Sequence, residues 1–99
     1  MSEPLDIRHF GYFLAVAEAG SFSRAADRLG ISQPSVSQQM RDLEAGLRVA
    51  LFQRRGKRIF LTQRGLIFQE HARALLHQLE NSLQELNSEP GELRGALRL

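Results

Sequence analysis

Residues 21–65 read SFSRAADRLG ISQPSVSQQM RDLEAGLRVA LFQRRGKRIF LTQRG, and this stretch decides the fold. Its hydrophobic spacing predicts two short amphipathic helices, separated by Gly30 and Ser32, with a basic hairpin close behind them. A compact helix pair of this kind presents its second helix to the major groove of DNA, while a basic wing reaches the neighbouring backbone or minor groove. The stretch therefore predicts a mainly α fold, a winged helix-turn-helix that binds DNA.

Local signals predict where the two helices begin and end. Ser21 and Ser32 are suited to N-cap them, because a serine hydroxyl accepts a hydrogen bond from a free N–H of the first turn. Gly30 is a natural stop for the first helix. Pro34 falls in the first turn of the second helix, where a missing N–H costs nothing. The small side chains of Ala25–Ala26 let a crossing helix approach closely.

The second helix of the pair has two distinct faces at about 100° per residue. The predicted core face comprises Val36, Met40, Leu43 and Leu47. The outward face is polar and carries almost no acid; it comprises Gln33, Pro34, Ser35, Ser37, Gln38, Arg41 and Ala45. Glutamine can pair with adenine and arginine with guanine, serine reaches bases or phosphates, and proline touches a thymine methyl. A solvated polar face is the alternative, but such faces usually mix Glu with Lys.

The predicted wing consists of two short apolar runs, Leu51–Gln53 and Ile59–Leu61, joined by a basic loop. Gly56 permits the positive φ of a tight hairpin turn. The cations of this segment are Arg54, Arg55, Lys57 and Arg58. Charges so close together repel one another, so an anionic partner is the simplest explanation for them, and a solubilising charge run is the alternative.

A long helix is predicted from about residue 63 to about residue 87, capped by Thr62 and roughly 37 Å long at 1.5 Å per residue. Its apolar seam comprises Phe68, Ala72, Leu75, Leu76, Leu79, Leu83 and Leu86. Such a seam is too long to bury against so small a head, so part of it should meet another helix. Packing on the head accounts comfortably for Phe68 and Ala72 but poorly for Leu83 and Leu86.

Composition agrees with a DNA-binding protein. The 99 residues have a net charge of +2, and seven cations lie between Arg41 and Arg64 against Asp42 and Glu44. A local basic face is the electrostatic footprint of a nucleic-acid binder. The chain has no cysteine, which excludes disulfides, zinc knuckles and thiol chemistry. It has no secretory signal and no apolar run near the length of a membrane span, so we expect a soluble protein of the bacterial cytoplasm or nucleoid and no membrane partner.

Catalysis is not expected. His71 and His77 lie six residues apart and face different ways on the predicted helix, so they cannot act as i, i+4 metal ligands, and His9 is remote in sequence. There is no glycine-rich phosphate loop, and Ser35 and Ser37 have no nearby histidine and carboxylate to activate them. We therefore predict no enzyme activity, no metal site and no cofactor.

The run from Phe10 to Gly65 resembles the N-terminal domain of LysR-type bacterial transcriptional regulators. The matching motifs are FLAVAEAGSFSRAA at 13–26, SQPSVSQQM at 32–40, and L-E, L-F-x-R and L-T-x-x-G behind them. By that resemblance the positions that meet the major groove are Gln33, Pro34, Ser35, Ser37, Gln38 and Arg41. The backbone-facing positions are Ser21, Ser23 and Ser32, and those of the wing are Arg55, Lys57 and Arg58. A first helix, Leu5–Ala19, would place Phe10, Phe13, Leu14 and Ala17 beneath the pair.

The resemblance also implies how the chain is organised. Residues 1–62 would be the DNA-binding domain, and residues 63–88 a linker helix that pairs antiparallel with its twin to form a homodimer. Residues 89–99 would be a hinge and the first strand of a missing effector-binding domain, which makes the chain a fragment. A dimer of this family binds an imperfectly palindromic promoter site. Tetramers are expected only of the full-length protein, a small-molecule effector would bind the missing domain, and RNA polymerase is a further candidate partner.

Two positions depart from the family pattern. Arg48 stands where the family usually has glycine after the recognition helix, so we expect a different helix exit, with Gly46 sharing the strain. Arg64 stands in the first turn of the long helix, where a cation opposes the helix dipole. A DNA phosphate there would neutralise it, which makes Arg64 a candidate backbone contact; an incidental surface arginine is the alternative.

Two other functions stay open at this point. The seam of the long helix could be the main interface of a protein–protein module, although that leaves the Ser/Gln/Arg face and the wing unexplained. A winged-helix repressor outside the LysR-type family is the other, and a gene ending near Leu99 would favour it.

Overall fold

The computed structural model describes residues 5–88, in which four helices and one hairpin follow the predicted order. The elements are α1 (Ile7–Ala19), α2 (Phe22–Leu29), α3 (Gln33–Leu47), β1 (Phe52–Arg55), β2 (Arg58–Leu61) and α4 (Gln63–Asn87). The predicted fold class is therefore confirmed. The hinge and strand predicted for residues 89–99 lie outside the described residues. Across residues 5–88, no helix combines the length and the apolar character that a membrane span requires.

Three helices, α2, α3 and α4, begin at the side-chain caps that the sequence predicted. Ser21 Oγ accepts from Arg24 N at 3.2 Å, and Ser32 Oγ accepts from Ser35 N at 3.2 Å. Thr62 Oγ1 accepts from Gly65 N at 2.9 Å. Each hydroxyl satisfies an N–H that has no partner within its helix, which fixes the start of α2, α3 and α4.

The first helix begins at Ile7, two residues later than predicted, because Asp6 caps it. The Asp6 carboxylate accepts from Arg8 N at 2.9 Å, and His9 Nδ1 accepts from Asp6 N at 3.2 Å. The side-chain hydrogen bond from Arg8, the largest cause, helps to lower the pKa of the Asp6 carboxyl to about 2. The Asp6 side chain also accepts from the backbone N–H of His9, and this bond together with the one from Asp6 N to the His9 side chain forms a capping box.

The core lies where α1, α2 and α3 cross above the wing. Ala25 and Ala26 are buried, so α2 packs closely against its neighbours as their size predicted. The other buried apolar side chains are Phe13, Val16, Val36, Met40, Leu43, Leu51, Ile59 and Ala72. Around them pack Phe10, Leu14 and Leu47, which are half-buried, whereas Ala17 is half-buried without belonging to this cluster. Burial of each large side chain contributes about 1.5–3 kcal/mol.

The exit from α3 is left-handed at Arg48, which has φ +61° and donates its N–H to Glu44 O at 2.7 Å. The expectation that Gly46 shares the strain is wrong, because Gly46 lies inside the helix. The exit geometry is the one that favours glycine, and Arg48 adopts it at a cost of about 1 kcal/mol. Glu44 helps to hold it: Glu44 Oε2 accepts from Leu51 N at 2.7 Å and from Phe52 N at 3.3 Å.

The seam of α4 divides into an inner and an outer part. Phe68 packs on α1, with its ring centroid 5.3 Å from that of Phe10 and 4.9 Å from that of Phe13. Ala72 is 0% exposed, so its assignment to a dimer interface is wrong: it has no surface left for a second chain. Leu76 is half-buried beside Gly11 of α1. The leucines of the seam that remain exposed are Leu75, Leu79, Leu83 and Leu86.

Candidate nucleic-acid interface

The outward face of α3 is polar and exposed. The cap at Ser32 and the proline at the start of the helix fix its first turn, so the following side chains project away from the core. The exposed residues of this face are Gln33, Pro34, Ser35, Gln38, Arg41 and Ala45. This set can offer amide, hydroxyl and guanidinium groups to a partner that lies along the helix.

Two of the predicted base-reading side chains are hydrogen-bonded to each other. Arg41 Nη2 donates to Gln38 Oε1 at 2.9 Å, and Gln38 Nε2 donates to Asp42 Oδ1 at 2.8 Å. Asp42 thereby orients Gln38, a role that the sequence prediction missed although the i, i+4 spacing of Gln and Asp is a known signal. A duplex that engages both side chains competes with the bond between Arg41 and Gln38.

Ser37 differs from the rest of the predicted face. It is 7% exposed, and its hydroxyl accepts from Gln33 Nε2 at 2.8 Å. The sequence prediction gave Ser37 a direct DNA contact, and the structure instead places it beneath Gln33. It lies next to the core residue Val36, at the border between the core face and the outward face of α3. Ser37 is therefore placed to orient Gln33.

The wing has longer strands and a shorter turn than predicted. Arg54, Arg55 and Arg58 lie within the strands, and only Gly56 and Lys57 form the turn. Gly56 has φ +64°, as a two-residue hairpin turn requires.

The register places the wing cations on two faces. It pairs Arg54 with Ile59 and Arg55 with Arg58, and consecutive strand residues point to opposite faces. Arg54 lies on the inner face, with its guanidinium carbon 5.1 Å from the centroid of the Phe22 ring. Arg55 and Arg58 therefore share the outer face of the wing.

A groove of about 490 Å³ separates the wing from the helix pair. It brings together candidate residues from three parts of the sequence, and its polar lining residues include Ser21, Ser23, Gln33, Arg54, Lys57 and Arg58. A hydrogen bond from Ile59 N to Gly20 O at 3.1 Å ties the wing to the turn before α2. Beside this groove, a recess of about 420 Å³ is lined by Arg24 together with Lys57 and Arg58. Arg24 was not predicted as a site residue.

Arg64 lies apart from these two cationic cavities. It is exposed in the first turn of α4 and lines an apolar groove of about 540 Å³ with Leu47, Ile67 and His71 among its neighbours. Its contact with the DNA backbone stays a prediction.

No three His, Asp or Glu side chains come together as a possible metal site in the part of the chain that the structure describes. His9 belongs to the capping box of α1, and His71 lines the apolar groove.

Comparison with known proteins matches this chain to bacterial helix-turn-helix transcriptional regulators. The family model for bacterial regulatory helix-turn-helix proteins of the lysR family matches residues 7–66. The Hca operon transcriptional activator HcaR of Escherichia coli K12 is 46% identical over 78 residues, covering 79% of this chain and 26% of that protein. An uncharacterised HTH-type transcriptional regulator in the ibpB–leuC intergenic region of Azotobacter vinelandii is 40% identical over 95 residues, covering 96% of this chain and 66% of that protein.

Solved structures agree with the sequence comparison. A crystal structure of the CbnR DNA-binding domain in complex with DNA matches with a TM-score of 0.77 and 39% identity, covering 96% of this chain and 100% of that one. The chain thus spans a whole domain of that structure but only part of the curated relatives, 66% of the Azotobacter protein and 26% of HcaR. These relatives are transcriptional regulators, which supports the prediction that the chain is not an enzyme.

Proposed function

The chain belongs to the lysR family of bacterial regulatory helix-turn-helix proteins, as its motifs predicted, and on that premise we propose that it binds promoter DNA at a specific sequence and regulates transcription. One observation carries the proposal: the exposed Ser/Gln/Arg face of α3 stands beside a hairpin that holds four cations. The matching CbnR domain, solved in complex with DNA, supports it.

In this proposal α3 enters the major groove and its outward face reads bases. Gln33 and Gln38 offer the paired donor and acceptor that adenine requires, and Arg41 offers the fork that guanine requires. Because Gln38 and Arg41 are exposed, exchanging their mutual hydrogen bond for one to a base costs little. Ser37 orients Gln33 and Asp42 orients Gln38, each through a side-chain hydrogen bond.

The wing and the caps of the helix pair contact the phosphate backbone in the same proposal. The groove between α2 and the wing is lined by Ser21 and Ser23 together with Arg54 and Lys57, so one DNA backbone lying along it would meet hydroxyl donors and cations together. Such contacts release counterions, so affinity falls as the salt concentration rises. The logarithm of the binding constant falls with the logarithm of the salt concentration, with a slope of about −0.9 for each phosphate neutralised. We propose that Arg24 joins this set, because it lines the adjacent recess with the wing cations.

We propose a homodimer through the outer leucines of α4. Leu75, Leu79 and Leu83 keep 40–50% of their surface exposed, so covering that surface with a second helix contributes about 0.7–1.5 kcal/mol for each leucine. Charge along α4 favours an antiparallel pair, because the half near the head carries Arg64 and Arg73 against Glu70, while the distal half carries Glu80 and Glu85 and no Lys or Arg. A twofold dimer binds two half-sites, hence an imperfect palindrome.

The remaining proposals concern the whole protein and rest on the family. We propose that it responds to a small-molecule effector through a separate domain, and that assembly beyond the dimer depends on that domain. RNA polymerase is a candidate partner during activation. We place the protein in the bacterial cytoplasm because its proposed ligand, promoter DNA, is found there.

The test is a titration of duplex DNA with the chain. Duplexes selected by the chain from a random-sequence library, and scrambled versions of them, are titrated by fluorescence anisotropy at two salt concentrations. We expect tighter binding to the selected duplex and a steep loss of affinity with salt for both. A variant with all four wing cations replaced by alanine is the control, and its salt slope should be shallower. Equal affinity for both duplexes together with no salt slope would contradict the proposed function.

A further inference from the structure

An aromatic side chain lies on the outer face of the wing, where no core packing requires one. Phe60 is 39% exposed, whereas its neighbour Ile59 points to the opposite face and is buried. The register pairs Phe60 with Gln53. It places Arg55 and Arg58 on the same face, each two residues nearer the turn along its strand. The ring is therefore placed to interact with both arginines.

Both guanidinium groups lie over this one ring. The guanidinium carbon of Arg55 is 5.2 Å from the ring centroid of Phe60, and that of Arg58 is 5.5 Å from it. The two arginines are direct cross-strand partners, an arrangement in which like charges destabilise a hairpin. The negative face of an aromatic ring attracts a cation within about 6 Å, so Phe60 offsets the repulsion between the arginines.

We propose that Phe60 is a positioning residue for DNA binding: its ring holds the Arg55 and Arg58 guanidiniums together on the outer face of the wing, ready to bind phosphates of one DNA backbone. The proposal rests on the proposed function. A guanidinium attracted by a ring still has N–H donors to offer to a phosphate, because it carries five of them. Ordering the two side chains before binding reduces the entropy that they lose in the complex.

The first experiment follows affinity through a series of substitutions at position 60. Phe60→Leu removes the ring but keeps an apolar side chain, and we expect about 3- to 10-fold weaker binding to selected and scrambled duplexes alike. Phe60→Trp should bind at least as tightly as the wild type, because tryptophan is the best cation–π partner. Gln53→Ala, on the same face, is the matched control, and its dissociation constant should change less than about 2-fold. Circular dichroism checks that each variant is folded.

The second experiment asks whether Phe60 acts through the arginines. In a chain that already carries Arg55→Ala and Arg58→Ala, the further change Phe60→Leu should leave the dissociation constant unchanged within about 2-fold, because no guanidinium remains to be positioned. A merely structural role would persist in that background, since it does not depend on the arginines.

Three results would overturn the proposal. If the loss persists in the double-alanine background, Phe60 contacts the DNA itself or supports the fold. If Phe60→Leu binds more tightly than the wild type, the ring holds the arginines away from the phosphates. If leucine, phenylalanine and tryptophan all bind equally, the ring has no effect on binding. None of these results touches the proposed function, which fails only if the wild-type chain shows no sequence preference and no salt dependence.

Discussion

Glu44 connects the DNA-reading helix to the wing, and replacing it should destabilise the domain. Its carboxylate accepts from Leu51 N at 2.7 Å and from Phe52 N at 3.3 Å, at the point where the chain leaves α3 for β1. Glu44→Ala leaves both N–H groups without this partner. An unsatisfied buried N–H costs about 1–3 kcal/mol. Leu51 is buried and Phe52 only half-buried, so we expect a total loss of about 2–4 kcal/mol, a large share of the roughly 5–15 kcal/mol that a domain has.

The comparison with Glu44→Gln makes this prediction sharp. A glutamine oxygen still accepts a hydrogen bond but lacks the charge, so the loss should be only about 0.5–1.5 kcal/mol. Glu85→Ala, an exposed glutamate near the end of α4, is the matched control and should stay within about 0.5 kcal/mol of wild type. Urea unfolding followed by far-UV circular dichroism measures all three. Equal losses for the alanine and glutamine variants, or a loss below about 0.5 kcal/mol for alanine, would refute the assigned role of Glu44.

Three further predictions follow from the fold. Gly65→Ala should lower the free energy of unfolding by about 3 kcal/mol or more, as measured by urea unfolding. The added Cβ would meet the backbone carbonyl oxygen of Leu51, and α4 cannot shift away without moving the start of β1. An unchanged free energy of unfolding would contradict the close approach. Leu79→Asp with Leu83→Asp should convert the proposed dimer to monomers in analytical ultracentrifugation, whereas a wild-type monomer at tens of micromolar would refute the interface. The capping carboxyl of Asp6 has its pKa lowered to about 2, so its contribution to stability is present above about pH 4 and lost as the pH falls toward 2; thermal unfolding of Asp6→Asn should show less pH dependence than wild type across that range, and identical profiles would contradict it.

The parts of the fold that depend on neighbouring residues could be predicted from the sequence. Ser21, Ser32 and Thr62 cap their helices because each hydroxyl needs only an N–H three residues ahead. The core face of α3 followed from helical periodicity, which does not depend on the partner elements. The box formed by Asp6 and His9 is also local, but histidine replaces the usual Glu or Gln at its third position, so the familiar pattern did not reveal it.

The parts that depend on tertiary contacts could not be predicted. Periodicity groups Ala72 with Leu79, and only the place where α1 crosses α4 decides that the first is buried and the second exposed. Arg48 takes the left-handed exit, where family usage suggested that glycine was needed, and the bonds of Glu44 to the next strand accompany it. Ser37 borders both faces of α3, and its burial follows from how the neighbouring elements pack around that helix.

The central claim is that α3 reads the DNA sequence while the wing binds the phosphate backbone of the DNA. Paired substitutions test it most directly. Arg41→Ala and Lys57→Ala, both at exposed positions, are titrated against selected and scrambled duplexes. If Arg41 makes a bidentate base contact, its loss should cost about 1–3 kcal/mol on the selected duplex and much less on the scrambled one. Lys57→Ala should weaken both duplexes to a similar extent and reduce the salt slope by about 1. An Arg41 variant that loses affinity equally on both duplexes, with a Lys57 variant that loses only the preference between them, would contradict the claim.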